Sequence, residues 1–237
     1  MERIKEWMAK PYVGVLFVLV ALVALFQSLN PVFLTPLNIA TMLRSASYIG
    51  IISVGMGLCM VSGMIDLSVG STSALASVMF GWAMVHWGLP LVPAILITIA
   101  AGAVIGLVNA FIILRMGVSP FVTTISTMFM IKGVALAWNK GFLIYPLPDG
   151  VAEIGNLKPL GVSVAFVIFL IVTLVAWYVL ERTVFGLEIR ATGSDYEVAK
   201  VTEVRYILVH VSLLAGIGAL AALAGVLTSF ILNAGLS

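Results

Sequence analysis

In a chain of 237 residues that is 62% hydrophobic and 9% charged, a carboxylate set among apolar residues calls for a physical reason. Asp66 is the only acidic residue between Glu6 and Asp149, in the stretch Gly63-Met64-Ile65-Asp66-Leu67-Ser68-Val69-Gly70-Ser71. At the centre of a spanning helix a carboxylate costs about 2.5–3.5 kcal/mol on insertion scales, so it lodges in a bundle or at an interface. Two readings fit. As a cap, Asp66 accepts hydrogen bonds from the free N–H groups that open the next helix. As part of a broken-helix element, it faces a watery path together with the short polar side chains Ser68 and Ser71.

A second polar group, Ser119-Pro120-Phe121-Val122-Thr123-Thr124-Ile125-Ser126-Thr127, opens another apolar stretch. Pro120 suits a first helical position, where its missing N–H goes unused. Thr123 and Thr124 either bond within the bundle or line the path. Lys132, further along, is expected to snorkel to the interface. Gly102 and Gly106 form a GxxxG pair followed by Asn109, and Ala215-Gly216 through Ala224-Gly225 make a smooth surface; both signal close helix approach. Asp66, Ser68, Ser71, Asn109, Thr123 and Thr124 are the candidate residues of a substrate path.

The third group lies in the largest hydrophilic segment, Glu181–Arg205. Ser194-Asp195-Tyr196-Glu197 fits a capping box, with a short helix to about Arg205 expected to follow. Val198, Val201 and Val204, with Ala199, give it a small apolar stripe, and Lys200 lies among the charges. Asp195, Glu197 and Glu203 make an anionic lipid surface a poor match, so a groove on a partner protein suits this helix better.

Enzymatic chemistry has no residue set behind it. No GxxxxGK[ST], HExxH or GxSxG occurs, so nucleotide hydrolysis on this chain is not expected. Cys59 stands alone, and His86 and His210 have no second ligand at a useful spacing; both are read as interfacial, and no metal site is expected. A net charge of +2 is too small to argue for nucleic acid.

These residues must be positioned by membrane helices. With mean hydropathy +1.20 and about a third of the charge a soluble domain needs, the chain belongs in the bilayer. Seven helices are predicted: Pro11–Leu29, Ala46–Ser62, Leu67–Trp87, Leu91–Leu114, Pro120–Trp138, Leu160–Leu180 and Tyr206–Leu232. The first follows Arg3, Lys5 and Lys10 and shows no small-residue cleavage site, so it reads as an uncleaved span. With a cytoplasmic N-terminus, Arg3, Lys5, Lys10, Arg115, Arg182, Arg190, Lys200 and Arg205 fall inside, and Arg44, Lys140 and Lys158 outside. A second helix that re-entered instead of crossing would flip every later orientation, and the charge count argues against it. The fold class predicted is an all-α polytopic bundle, one transmembrane domain over 1–237 with a cytoplasmic loop at 181–205.

With these residues in place, a family resemblance emerges. Gly63–Ser71 resembles the GGIDLSVGS stretch of permease subunits from bacterial ABC importers of the ribose type. Gly106-Leu107-Val108-Asn109-Ala110 and Gly117–Thr124 are similar to that family's GxxNG…GxPPFIxTL. Phe185-Gly186 and Ala191–Thr202 resemble its cytoplasmic FGR…AIGGNxxAARLSG. The resemblance implies an inner-membrane pore made by two permease copies or paralogues, two ABC ATPase subunits, and an extracytoplasmic solute-binding protein delivering a sugar. It makes Ser194, Glu197, Val198, Ala199, Lys200 and Val201 part of a coupling helix, and it implies no cofactor on this chain. Met64 and Glu203 stand where the family has glycine. Members carry further spans, including a GGxxLxGGxG stretch, so a truncated product or shortened paralogue is an expectation here. An ion-coupled carrier would want buried acids in several helices, and a structural subunit would need no path of its own.

Overall fold

The computed structural model describes residues 11–157, 161–194 and 205–236. Among these residues nine helices follow one another: α1 (Pro11–Leu29), α2 (Pro36–Val61), α3 (Val69–Val85), α4 (Leu91–Met116), α5 (Pro120–Asn139), α6 (Val151–Asn156), α7 (Val164–Arg182), α8 (Val184–Ser194) and α9 (Tyr206–Leu232). No strand forms among them; one isolated antiparallel bridge joins Ile144 to Gly235. Helices α2, α4, α5, α7 and α9 are long and apolar enough to cross a membrane, and Val13–Leu29 and Val69–Val85 are shorter apolar helices. The all-α polytopic expectation holds.

Residues up to Leu43 form one compact unit. Its helix α1 is apolar and largely exposed along its length, the composition of a helix surrounded by hydrocarbon. Side chains close the turn after it. Leu34 N–H donates to Gln27 Oε1 at 2.9 Å, and Asn38 Nδ2 donates to the Phe33 carbonyl at 2.7 Å.

The second unit begins at Arg44 and is built round α9. Nearly every turn of α9 is buried, from Val209 to Phe230, because its small residues let neighbouring backbones come close. At Gly102 and Gly106 of α4, a Cβ would collide with the carbonyls of Gly218 and Leu214. The two small-residue surfaces seen in the sequence therefore pack on each other.

The second unit has two distinct ends. At one end Cys59 of α2, Ile189 of α8, Val209 of α9 and Leu180 of α7 share a cluster. At the other end Trp138 of α5 packs against Trp82 and Trp87, and Ile144 exchanges backbone hydrogen bonds with Gly235 at 3.1 and 3.0 Å. Arg44 sits at that second end, donating to Asn156 Oδ1 at 3.3 Å and to the Ile231 carbonyl at 3.4 Å. From Arg44 to Val61, α2 runs from one end of the second unit to the other, about 27 Å at the helical rise.

Some boundaries differ from expectation. Helix α2 starts at Pro36, ten residues before Ala46, because the bonded Arg44 is carried inside the helix instead of ending it. Helix α3 is trimmed to Val69–Val85, and α7 begins at Val164, where Ser163 accepts from Phe166 N–H. Two helices were not anticipated: α6 inside the Asn139–Pro159 connection and α8 inside Glu181–Arg205.

Candidate functional site

The site is assembled where α2 stops. Gly63 N–H donates to the Met60 carbonyl and Met64 N–H to the Cys59 carbonyl, both at 3.0 Å, with Gly63 at φ +81°. This is a Schellman ending, which needs a left-handed residue just beyond the helix, and Gly63 takes that conformation without steric cost. The chain then runs without helix through Met64, Ile65 and Asp66. Asp66 Oδ1 accepts from Ser68 N–H at 2.8 Å and from Ser68 Oγ at 2.6 Å. Thr72 N–H donates to the Ser68 carbonyl at 2.9 Å as α3 begins. The two bonds to Asp66, which is 1% exposed, form an Asx turn that leads into α3. Ser68 is the N-cap residue and makes no side-chain cap bond, so Asp66 holds the residue before the helix and not the N–H groups of its first turn.

The polar contacts continue across two more helices. Asn109 of α4, fully buried, donates from Nδ2 to Ser68 Oγ at 3.1 Å. Its Oδ1 accepts from Thr127 Oγ1 of α5 at 2.7 Å. Three sequence-predicted path residues, Asp66, Ser68 and Asn109, are therefore brought together, and Thr127 joins them.

The remaining predicted path residues are not part of this chain of bonds. Ser71 is buried on the first turn of α3. Thr124 Oγ1 turns back to the Pro120 carbonyl at 2.9 Å. Thr123 is 4% exposed, and its Oγ1 has no hydrogen-bond partner among the described residues.

Ser194 ends α8, and its Oγ donates to the Arg190 carbonyl at 2.9 Å. Glu197, Val198, Ala199, Lys200 and Val201, and with them the rest of the predicted capping box, lie outside the described residues. The flanks of that segment are tied together, since Arg205 Nε pairs with Glu188 Oε1 at 3.1 Å. Arg190 also pairs with Glu181. Helix α8 sits tightly on α2: a Cβ on Gly193 would collide with the Val61 carbonyl.

A cavity of about 650 Å³ opens at this same end of the unit, with Met64, Gly117, Ser119, Gly193 and His210 on its wall. His210 is a correction to the interfacial expectation. It is 2% exposed, its Nε2 lies 3.4 Å from the Ser62 carbonyl, and α9 carries it into the bundle. His86, at the other end, stacks on Trp82 with 3.8 Å between ring centroids and is exposed. Among the described residues no group of three His, Cys, Asp or Glu side chains could hold a metal ion.

Thr127 and the cavity were missed in the sequence. The signal for Thr127 was its place four residues after Thr123, on the same helix face. That spacing does not reveal which face of α5 meets Asn109.

Fold and site together define a multi-pass, all-α membrane protein with a buried polar chain at a helix break. The profile of the family described as "Branched-chain amino acid transport system / permease component" matches residues 38–236, and the chain belongs to this permease family. It is 34% identical over 222 residues to the ribose import permease protein RbsC of Bacillus subtilis (strain 168), covering 92% of this chain and 67% of that protein. RbsC of Haemophilus influenzae is 32% identical, with 89% and 66% covered. The autoinducer 2 import system permease protein LsrD of Enterobacter sp. (strain 638) is 34% identical, with 78% and 58% covered. The chain thus spans from 58% to 67% of the length of these relatives. No solved structure matches it. Family and apolar helices together make it a multi-pass protein of the bacterial inner membrane.

Proposed function

We propose that this chain is a transmembrane subunit of an ATP-driven ABC importer that moves a sugar or similar small polar solute. A second permease copy or a paralogue completes the pore, separate ABC ATPase subunits supply the hydrolysis, and an extracytoplasmic binding protein delivers the solute. The permease-family match over residues 38–236 carries this reading. Asp66, Ser68, Ser71, Asn109, Thr123 and Thr124 are assigned to the path or its support. Ser194, Glu197, Val198, Ala199, Lys200 and Val201 are assigned to the ATPase contact. Supporting that second assignment, Gly193 anchors the start of the segment against α2, which ends at the helix break. A displacement of α8 at Gly193 would therefore be passed through packed backbone to Val61 and the residues before Asp66.

Purifying the chain with the proteins encoded beside it tests the proposal. A co-purifying ATPase, stimulated by a sugar-loaded binding protein, is the expected result. Ala199→Glu should leave ATP hydrolysis running while uptake falls. Uptake by this chain alone, driven by a proton or sodium gradient, would overturn the reading. Among the described residues Asp66 is the sole buried acid, which is little for an ion-coupled carrier.

A further inference from the structure

The hydrogen bonds from α5 to the helix break all point one way. A carboxylate oxygen accepts, and Asp66 Oδ1 takes both the N–H and the hydroxyl proton of Ser68. Ser68 Oγ has then used its only proton, so it accepts from Asn109, and the facing atom of Asn109 is its Nδ2. That leaves Oδ1 at the other end of the amide, where it accepts the Thr127 hydroxyl proton. The carboxylate at one end thus sets the direction of a hydroxyl on another helix, three side chains away. Thr127 has its proton directed inward, and the lone pairs of its oxygen are left on the outer side.

The surroundings of Thr127 suit a polar ligand. Asp66, Ser68 and Asn109 are buried, whereas Thr127 is half-buried, and it is the member of the series that reaches a surface. Thr123, four residues earlier on the same face, keeps a buried hydroxyl with no partner among the described residues. Ser126 is exposed and also makes no hydrogen bond among them. Three hydroxyls at i, i+3 and i+4 in the first half of α5 are costly against hydrocarbon and are suited to water or a hydroxylated solute.

We propose that Thr127 is a solute-contacting hydrogen-bond acceptor of the path, with Asn109, Ser68 and Asp66 as positioning residues that fix its direction. The ligand it would take is an uncharged polyhydroxylated molecule that donates a hydroxyl to Thr127 Oγ1. This rests on the importer reading and adds to it a way for Asp66 to act without touching solute.

The test uses the chain with its partner subunits in membrane vesicles. Thr127→Cys should react with a charged, water-soluble methanethiosulfonate, while Phe129→Cys, exposed on the opposite, apolar side of the same helix, should not. The native Cys59 is fully buried and should stay silent in the unsubstituted chain. With ribose as the probe, Thr127→Val should raise KM about fivefold, the loss of one hydrogen bond, at unchanged Vmax and protein level. Thr127→Ser should restore KM, and Asn109→Leu, which removes the acceptor of the Thr127 hydroxyl proton, should raise it as Thr127→Val does. Thr127→Cys labelled no faster than Phe129→Cys, or Thr127→Val with wild-type KM, would overturn the proposal. A wild-type complex whose ATPase no sugar-loaded binding protein stimulates would count against the importer reading, and labelling at position 127 would still decide whether that site faces water.

Discussion

Asp66 shows how one carboxylate is tolerated inside an apolar chain. Its burial is made bearable by two donors from Ser68, one of them a backbone N–H that would otherwise lack a partner at a helix start. Asp66→Ala leaves both donors buried without an acceptor and should cost about 1–3 kcal/mol of stability. Asp66→Asn keeps an oxygen facing Ser68 and should cost clearly less. Thermal unfolding of the detergent-solubilised chain, followed by size-exclusion chromatography, measures the difference; equal midpoints for the two variants would contradict this role of the Asp66–Ser68 bonds. At this scale the sequence displayed the residue types but not their pairing. Asp66 and Ser68 are adjacent enough to pair by local rules. Asn109 and Thr127 meet them only because α4 and α5 are rotated to present those side chains, and no local spacing encodes that rotation.

Among the helices, the contact that sets this rotation is between α4 and α9. Gly106 places the α4 backbone against the Leu214 carbonyl, and Asn109 follows one turn later on the same helix. Gly106→Leu should therefore destabilise the chain by about 1–3 kcal/mol, the usual penalty of overpacking. Gly216 of α9 faces open space, so Gly216→Ala is a control that should be neutral or slightly stabilising. Melting midpoints of the two variants check this, and similar losses for both would refute the close approach. The sequence revealed α1, α4, α5 and α9 almost to the residue, because unbroken apolar runs bounded by Pro or Gly leave little choice. It misled at α2, where a charged residue was read as a boundary. Arg44 is housed within the helix because Asn156 and the Ile231 carbonyl, both distant in sequence, take up its guanidinium protons.

At the scale of the second unit, the cavity lies at one end and an aromatic contact with a backbone bridge at the other. Ser62–Met64, Gly117–Ser119 and Gly193 meet round the cavity at one end, while the Trp82–Trp138 contact and the Ile144–Gly235 bridge mark the other. The charge distribution predicts that the cavity end is cytoplasmic. Alkaline phosphatase fused after Gly150 should then be active, and fusions after Gly117 or Ser194 inactive; the reverse pattern would invert the topology. Membrane residence, helical class and the approximate spans were all legible in the sequence. Transfer into a bilayer depends on residue type summed over a window of about 20 positions, and a sum of that kind needs no knowledge of partners. The cavity, the burial of His210 and the directed bonds from Thr127 to Asp66 were decided by tertiary structure. Each depends on the rotation and register of helices far apart in the chain, which side-chain packing between glycine-bearing faces sets and composition does not.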